Sequence, residues 1–209
     1  MKKMLLLTGV LVVMALCAPL QASAEDGKNF YVVGKAGAAF PTDKGDFDTG
    51  FAGEIGFGWD FAPKDAMLIA LELTVGYNTF SGGGTVPTQV GNVKVDLDAD
   101  IYPIGLTMKY GARANRLTYY GGIGVDIIPL SFDADTSVDG TSVPGYSNSD
   151  NVFGAHMLVG LTFDFTDSIF AGIEGKYLMA GTQRAMWNGS LIEMDPSSFT
   201  VQALIGFRF

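Results

Sequence analysis

Phe199-Thr-Val-Gln-Ala-Leu-Ile-Gly-Phe-Arg-Phe209, the last eleven residues of the chain, alternate between two kinds of side chain. The odd positions are apolar or aromatic, and the even positions are polar or small except for Leu204. Successive side chains of a β-strand point to opposite faces, so the pattern predicts a strand with two distinct faces. The strand reaches the terminal residue, where soluble domains usually fray, and is therefore predicted to close a larger sheet.

The same alternation recurs in seven earlier segments, which are residues 30–40, 51–61, 67–77, 95–110, 119–127, 153–165 and 169–179. In the fourth of them the apolar row changes from odd to even positions at Pro103, which predicts a β-bulge with one extra residue. Short turns alternate with long loops, predicted at 81–92, 133–150 and 183–196. Eight such strands predict four antiparallel hairpins in an up-and-down meander, which must close into a barrel or leave its edges exposed.

The first residues have the composition of a targeting segment. Met1-Lys-Lys3 is basic, Leu5 to Ala18 is apolar, and Ala22-Ser-Ala24 is a small-x-small cleavage site. This order predicts a cleaved secretory signal peptide over residues 1–24 and a barrel domain over residues 25–209. The single cysteine, Cys17, leaves with that peptide, so the mature chain has no disulfide framework.

The charge of the chain excludes nucleic acid as a partner, and its hydropathy excludes a membrane-spanning helix after residue 24. With 22 acidic and 13 basic residues the net charge is −9, whereas nucleic-acid binding requires a basic face. After residue 24 no apolar run reaches the ~18 residues of a membrane-spanning helix.

Three features predict that the apolar row faces outward, toward lipid, rather than inward as in a soluble ligand barrel. The strands are about ten to thirteen residues long, as tilted membrane strands are. The other row carries few charges, of both signs, among small residues, which suits a narrow lumen. Aromatic residues crowd both strand ends and predict two interfacial girdles: Phe30, Trp59, Phe61, Tyr110, Tyr119, Phe163, Phe165, Phe207 and Phe209 at one, and Phe40, Phe51, Tyr77, Phe80, Tyr102, Phe153 and Phe199 at the other.

With its signal peptide, its loop rhythm and its terminal Gly206-Phe-Arg-Phe209, the whole mature chain resembles the small eight-stranded outer-membrane barrels of Gram-negative bacteria. That group contains the OmpA transmembrane domain, OmpX, OmpW and the opacity-type proteins. The resemblance implies an all-β, eight-stranded antiparallel transmembrane barrel in the outer membrane, with both termini periplasmic. It also implies that Phe207 and Phe209 form part of the signal read by the outer-membrane assembly machinery.

The polar row places ten ionisable residues in the predicted lumen: Lys35, Glu54, Glu72, Lys109, Asp126, His156, Asp164, Glu174, Lys176 and Arg208. Buried charges pair because isolated ones are costly, so we expect a structural network. The alternative is a path for ions or small solutes. Eight strands leave an interior just wide enough for side chains to fill, which favours the network.

Two other features of the sequence, an aspartate motif and a single histidine, give only weak indications of a binding or catalytic site. Asp96, Asp98 and Asp100 start like a calcium loop but lack the glycine and glutamate of an EF-hand, so we expect at most a weak cation site. His156 is the only histidine and gives no zinc ligand set. It also lacks the His-x-Ser pair of the outer-membrane lipid A deacylases, so the sequence predicts no metal, no cofactor and no enzyme.

The predicted function is a structural or surface-interaction role through acidic extracellular loops, since loops on a rigid scaffold carry recognition. The loops at 133–150 and 183–196 are the candidate surfaces for a partner. Outer-membrane lipid and lipopolysaccharide are the other expected contacts, and the barrel is expected to be a monomer. The alternative is a narrow OmpW-like channel for small or apolar solutes.

Overall fold

The computed structural model describes residues 28–42, 47–62, 66–88, 91–138, 141–187, 190–194 and 196–209. The signal peptide predicted over residues 1–24 lies outside this range. No helix in the described ranges is long and apolar enough to cross a membrane.

The described chain forms eleven β-strands. They are β1 (Phe30–Pro41), β2 (Gly50–Asp60), β3 (Met67–Thr88), β4 (Gly91–Ile101), β5 (Ile104–Ala114), β6 (Leu117–Val138), β7 (Thr141–Asp164), β8 (Ile169–Ala180), β9 (Gln183–Trp187), β10 (Ser190–Met194) and β11 (Ser198–Arg208). β4 and β5 follow each other along one edge of β3, and β9 pairs only with β10. The wall therefore has eight antiparallel members, as the sequence predicts.

The sheet closes on itself through its first and last strands. β1 pairs with β2 on one side and with β11 on the other, where Val32 lies opposite Phe207 and Phe40 opposite Phe199. The remaining neighbours are consecutive around the wall, up to the pairing of β8 with β11. The prediction that residues 199–209 close the sheet is confirmed, and the strand that they pair with is β1.

The bulge predicted at Pro103 is wrong. Ile101 lies opposite Asn78 and Ile104 lies opposite Val75, so equal numbers of residues span the interruption and none is inserted. Odd residues face the lumen on both sides of it, and Ala99, Ile101 and Pro103 are buried there. The apolar pattern changes parity because the interior itself becomes apolar at this level, not because the strand slips.

The two faces of the wall have the predicted polarity over most of its height. Outside, large apolar side chains are exposed, including Phe153 at 74% and Val159 at 68%, and Ile205 and Phe207 of the last strand lie there as predicted. Inside, lysine and glutamate side chains are enclosed. One girdle assignment is wrong: Phe80 is 4% exposed and points inward, because it belongs to the even row of β3 with Asn78.

The two ends of the barrel differ. At the turn end, where Phe30 pairs with Phe209, short connections follow Asp60, Ala114 and Asp164. At the hairpin end, the segments predicted as long loops are largely strand. β3 pairs with β4 up to Thr88 and Gly91, and β6 pairs with β7 up to Val138 and Thr141.

The last predicted loop contains a separate hairpin, in which Gln183 of β9 lies opposite Met194 of β10. The Gly, Ser, Thr and Asp content of these three segments predicts loops. In the first two, cross-strand backbone pairing of the wall continues beyond the rim of the barrel, and the third forms its own two-stranded sheet.

Candidate functional site

The middle of the lumen is closed by a ring of four ionic side chains from four different strands. Lys35 Nζ contacts Glu72 Oε1 at 2.9 Å and Glu174 Oε1 at 2.5 Å. Lys109 Nζ contacts the other oxygen of each carboxylate, at 2.7 Å for Glu72 and 3.1 Å for Glu174. Each lysine thus bridges both glutamates, and all four are at most 5% exposed. We call these four residues the ion-pair ring.

Two tyrosines and a further pair extend the ion-pair ring. Tyr31 donates to Glu72 Oε2 and Tyr120 donates to Glu174 Oε2, each at 2.8 Å. Lys176 Nζ donates to Glu54 Oε1, and Glu54 Oε2 lies 3.7 Å from Lys35 Nζ. Three lysines therefore balance three glutamates, which satisfies the requirement that enclosed charges be paired.

Glycine makes room for the rings of these tyrosines. A Cβ on Gly58 would overlap the Tyr31 ring, and a Cβ on Gly160 would overlap the Tyr120 ring. The rings lie over these glycines, and their hydroxyls reach the ion-pair ring. The glycine-rich inner row is thus a packing requirement of the lumen.

A second polar group lies beside the ion-pair ring. His156 Nδ1 lies 2.5 Å from Asp126 Oδ2, and His156 Nε2 lies 2.8 Å from Thr107 Oγ1. The order carboxylate, imidazole, hydroxyl is that of a nucleophilic triad. All three residues are at most 3% exposed, however, so the hydroxyl has no open face toward a substrate in this conformation.

The turn end carries two more ion pairs at its rim. Arg208 Nη1 donates to Asp164 Oδ1 at 2.8 Å. Arg113 donates to Asp60 Oδ2 and to the carbonyls of Ala62 and Met67. Arg113 therefore ties the first short connection to the wall.

The lumen has different contents on the two sides of the ion-pair ring. Toward the hairpin end, an apolar plug of eight buried side chains occupies the interior: Ala39, Ala52, Phe80, Ala99, Ile101, Ile128, Leu130 and Leu178. Toward the turn end lies a cavity of about 40 Å³ lined by Tyr31, Tyr120, Phe170 and Arg208, among others. That volume holds a few water molecules at most.

An acidic surface lies on the outside at the hairpin end. On β4 and β6, Asp96 lies directly opposite Asp135 and Asp98 directly opposite Asp133. All four are exposed, and Asp100 follows on the same face with one oxygen 2.9 Å from the Tyr77 hydroxyl. Lys94 offsets part of this charge through an exposed pair with Asp96. We call Asp96, Asp98, Asp100, Asp133 and Asp135 the carboxylate ladder.

The ten residues predicted for the lumen thus fall into separate groups. Six of them belong to the ion-pair ring and the adjoining Lys176–Glu54 pair, and Asp126 and His156 form the second group. Asp164 and Arg208 lie at the rim. The sequence predicts that charges pair but not which ones, because pairing across a barrel depends on the stagger of the strands.

Three features of these sites escape prediction from the sequence. Thr107 gives no signal by itself, since it is one of many hydroxyls in the inner row. Arg113 lies in a short basic segment that predicts only a turn. The pairing of Asp98 with Asp133 is not predicted because the composition around Asp133 predicts a loop. The alternation of apolar and polar residues through 128–138 is the signal that predicts a strand there.

The cation site predicted at Asp96, Asp98 and Asp100 stays a prediction. Alternate side chains along one strand lie too far apart to converge on one ion without help. Within the ranges that the structure describes, no three His, Cys, Asp or Glu residues are arranged to hold a metal ion.

A closed eight-membered antiparallel wall with an apolar exterior and a charged interior defines a transmembrane β-barrel of the outer-membrane type. The model of the outer membrane protein beta-barrel domain matches residues 8–209. The chain belongs to this family, and its location is the outer membrane of a Gram-negative cell.

Solved structures support the same fold. Neisserial surface protein A is 17% identical with a TM-score of 0.56, over 88% of this chain and 100% of that one. OprG from Pseudomonas aeruginosa is 12% identical with a TM-score of 0.57, over 88% and 99%. A major outer membrane protein from Thermus thermophilus is 11% identical with a TM-score of 0.55, over 86% and 99%. Comparison with curated proteins gives no match.

Proposed function

We propose that this barrel is a non-enzymatic surface-interaction protein whose binding surface is the carboxylate ladder. The hairpin end then faces the outside of the cell and both termini face the periplasm. β3, β4, β6 and β7 continue past the rim as a four-stranded sheet, and the ladder lies on its outer face. The rest of the barrel acts as a monomeric anchor in lipid, with Phe207 and Phe209 serving assembly.

One observation carries this proposal: like charges face each other directly across two strands. Carboxylates in directly opposite positions destabilise a sheet, so the Asp98–Asp133 and Asp96–Asp135 pairs cost stability. Such pairs do not help the sheet to fold, whereas a binding surface for a cationic partner requires negative charge. Their sign fits a cationic protein segment or, through divalent cations, the phosphates of lipopolysaccharide.

The experiment removes charge from the carboxylate ladder without truncating a hairpin. The barrel is placed in lipid nanodiscs, and binding of an oligolysine peptide and of lipopolysaccharide vesicles with Mg²⁺ is measured over a range of salt. Asp98→Asn is compared with Asp167→Asn, which removes the same charge from an exposed site at the turn end of the barrel.

We expect the ladder variant to lose about tenfold in affinity for one of the two probes while the control variant stays close to the parent. A tenfold loss corresponds to about 1.4 kcal/mol. Equal losses in the two variants would mean that net charge alone is responsible and would remove the carboxylate ladder as a specific surface.

The channel alternative is disfavoured by the filling of the lumen. Both the ion-pair ring and the apolar plug would have to move before a solute could pass. The apolar plug does give the hairpin-end half of the lumen an apolar lining, which is the feature that an apolar solute would use.

A further inference from the structure

Four neutral polar side chains in the lumen are enclosed without any hydrogen-bond partner among the described residues. They are Asn78 on β3 and Ser198, Thr200 and Gln202 on β11, each at most 1% exposed. Six of their nitrogen and oxygen atoms make no hydrogen bond, and Glu54 Oε2 is a seventh such atom nearby. Leaving even one buried polar group unsatisfied costs an appreciable part of the net stability of a protein.

These groups line a strip of small residues. Asn78, Ala52, Gly37 and Gln202 are successive cross-strand partners from β3 through β2 and β1 to β11. Neither the alanine nor the glycine has a side chain that could reach either amide. One step toward the hairpin end, Thr200 lies opposite Ala39, so the strip continues there with another small residue.

The surroundings of the strip differ at its two ends. Toward the turn end it meets the Lys176–Glu54 ion pair, in which Glu54 Oε2 makes no hydrogen bond although it lies 3.7 Å from Lys35 Nζ. Toward the hairpin end it meets the apolar plug, of which Ala39 and Ala52 are members. On the β8 side Gln202 lies opposite Glu174 and Thr200 opposite Lys176, so the polar atoms lie between charged side chains and the apolar plug.

We propose that Asn78, Thr200, Gln202 and Glu54 bind a small cluster of water molecules held inside the barrel. Water both donates and accepts, and the two amides offer both kinds of atom while the free carboxylate oxygen accepts. A buried water makes about three hydrogen bonds, so about two or three waters satisfy the whole set. An apolar occupant would leave these atoms unsatisfied, and an added ion would unbalance charges that are already paired.

The cavity at the turn end provides an internal contrast. Its polar lining includes Tyr31, Lys109 and Tyr120, and each of these donates to a glutamate of the ion-pair ring. Hydrogen bonding alone therefore does not require water there. The site at Asn78 and Gln202 differs because its atoms have no partner among the described residues.

The test counts the water molecules that the barrel retains. Oxygen-17 magnetic relaxation dispersion of the refolded barrel in detergent micelles detects waters that exchange slowly with the bulk. We expect Thr200→Val combined with Gln202→Met to lower the number of retained waters by at least one. Thr74→Val is the matched control, because the Thr74 hydroxyl already donates to the Gly105 carbonyl at 3.4 Å, and it should leave that number unchanged.

An unchanged number of retained waters in the double variant would overturn the proposal. If the double variant does not refold, Thr200→Val alone, which preserves the side-chain shape, is measured instead. A crystal structure of the parent protein is a second test. Solvent density within about 3.2 Å of the Asn78 and Gln202 side-chain amides would support the site, and two amides bonded to protein groups in a dry interior would refute it.

Discussion

Lys35, Glu72, Lys109 and Glu174 hold one another in a ring because none of them can remain charged alone inside the barrel. Each member has two ionic partners within the ring, so removing one leaves two opposite charges undercompensated. The ring is therefore a point at which a single substitution has a large effect.

Lys109→Met should destabilise the barrel by about 3–5 kcal/mol, because Glu72 and Glu174 each lose a partner in an enclosed site. Lys94→Met is the matched control, since its pair with Asp96 is exposed, and it should change stability by no more than about 0.5 kcal/mol. Urea unfolding in micelles, followed by the heat-modifiable shift on gels, measures both. Similar values for the two variants would contradict the structural role of the ion-pair ring.

Gly160→Ala should cost about 1–3 kcal/mol, because the added methyl group would overlap the Tyr120 ring and displace its hydroxyl from Glu174. Gly34→Ala is the control, since a Cβ at that outward position meets nothing within 4 Å. The same unfolding assay compares them. Equal stability of the two variants would show that the lumen is loose enough to absorb a methyl group.

At the scale of the element, the hairpins of β3–β4 and β6–β7 hold the carboxylate ladder outside the apolar band. The change of surface is sharp on β6, where Ile127 faces out in the apolar row and Asp133 faces out in the ladder. These hairpins place like charges opposite each other, so the pairing is less stable than it would be with neutral residues at those positions.

Asp98→Asn should therefore stabilise the pairing of β4 with β6, although it is expected to weaken binding to the carboxylate ladder. Removing one charge of the Asp98–Asp133 pair is expected to gain a few tenths of a kcal/mol to about 1 kcal/mol. Amide hydrogen exchange along residues 91–101 and 128–138 measures this as greater protection. Exchange that is unchanged or faster than in the parent would show that the two carboxylates do not repel.

The last strand carries a separate prediction. Phe209 stacks near Phe30 and Phe207 at the turn end, away from the ion-pair ring. Deleting Phe209 should lower the amount of barrel inserted into the outer membrane more than the unfolding stability of barrel that is already inserted. Pulse labelling of insertion and urea unfolding of the purified barrel separate the two effects, and equal losses in both would refute the assembly role.

The sequence predicts the wall well, because alternation has a period of two and needs no knowledge of distant residues. The closing pair of strands and the outward position of Ile205 both follow from that period. The errors lie where the lumen is apolar, since Ile101 and Phe80 then resemble lipid-facing residues. The partners of Glu72 and the pairing of Asp98 with Asp133 depend on the register between strands, which the amino-acid composition does not determine.

At the scale of the whole molecule, the barrel divides by height into parts with different chemistry. Ion pairs at the rim, the ion-pair ring and the apolar plug follow one another from the turn end to the hairpin end. The ion-pair ring and the apolar plug fill the interior with side chains, as expected for an eight-stranded barrel. The space available for function is therefore outside the lumen, on the hairpins.

The most direct test of this account is the conductance of the parent protein. The refolded barrel is inserted into a planar bilayer in concentrated KCl, and current is recorded at both polarities. We expect membranes that contain the protein but show no discrete conductance steps. Stable single-channel steps that disappear when the sample is heat-denatured would contradict it, and the filled lumen would then be one state of a channel.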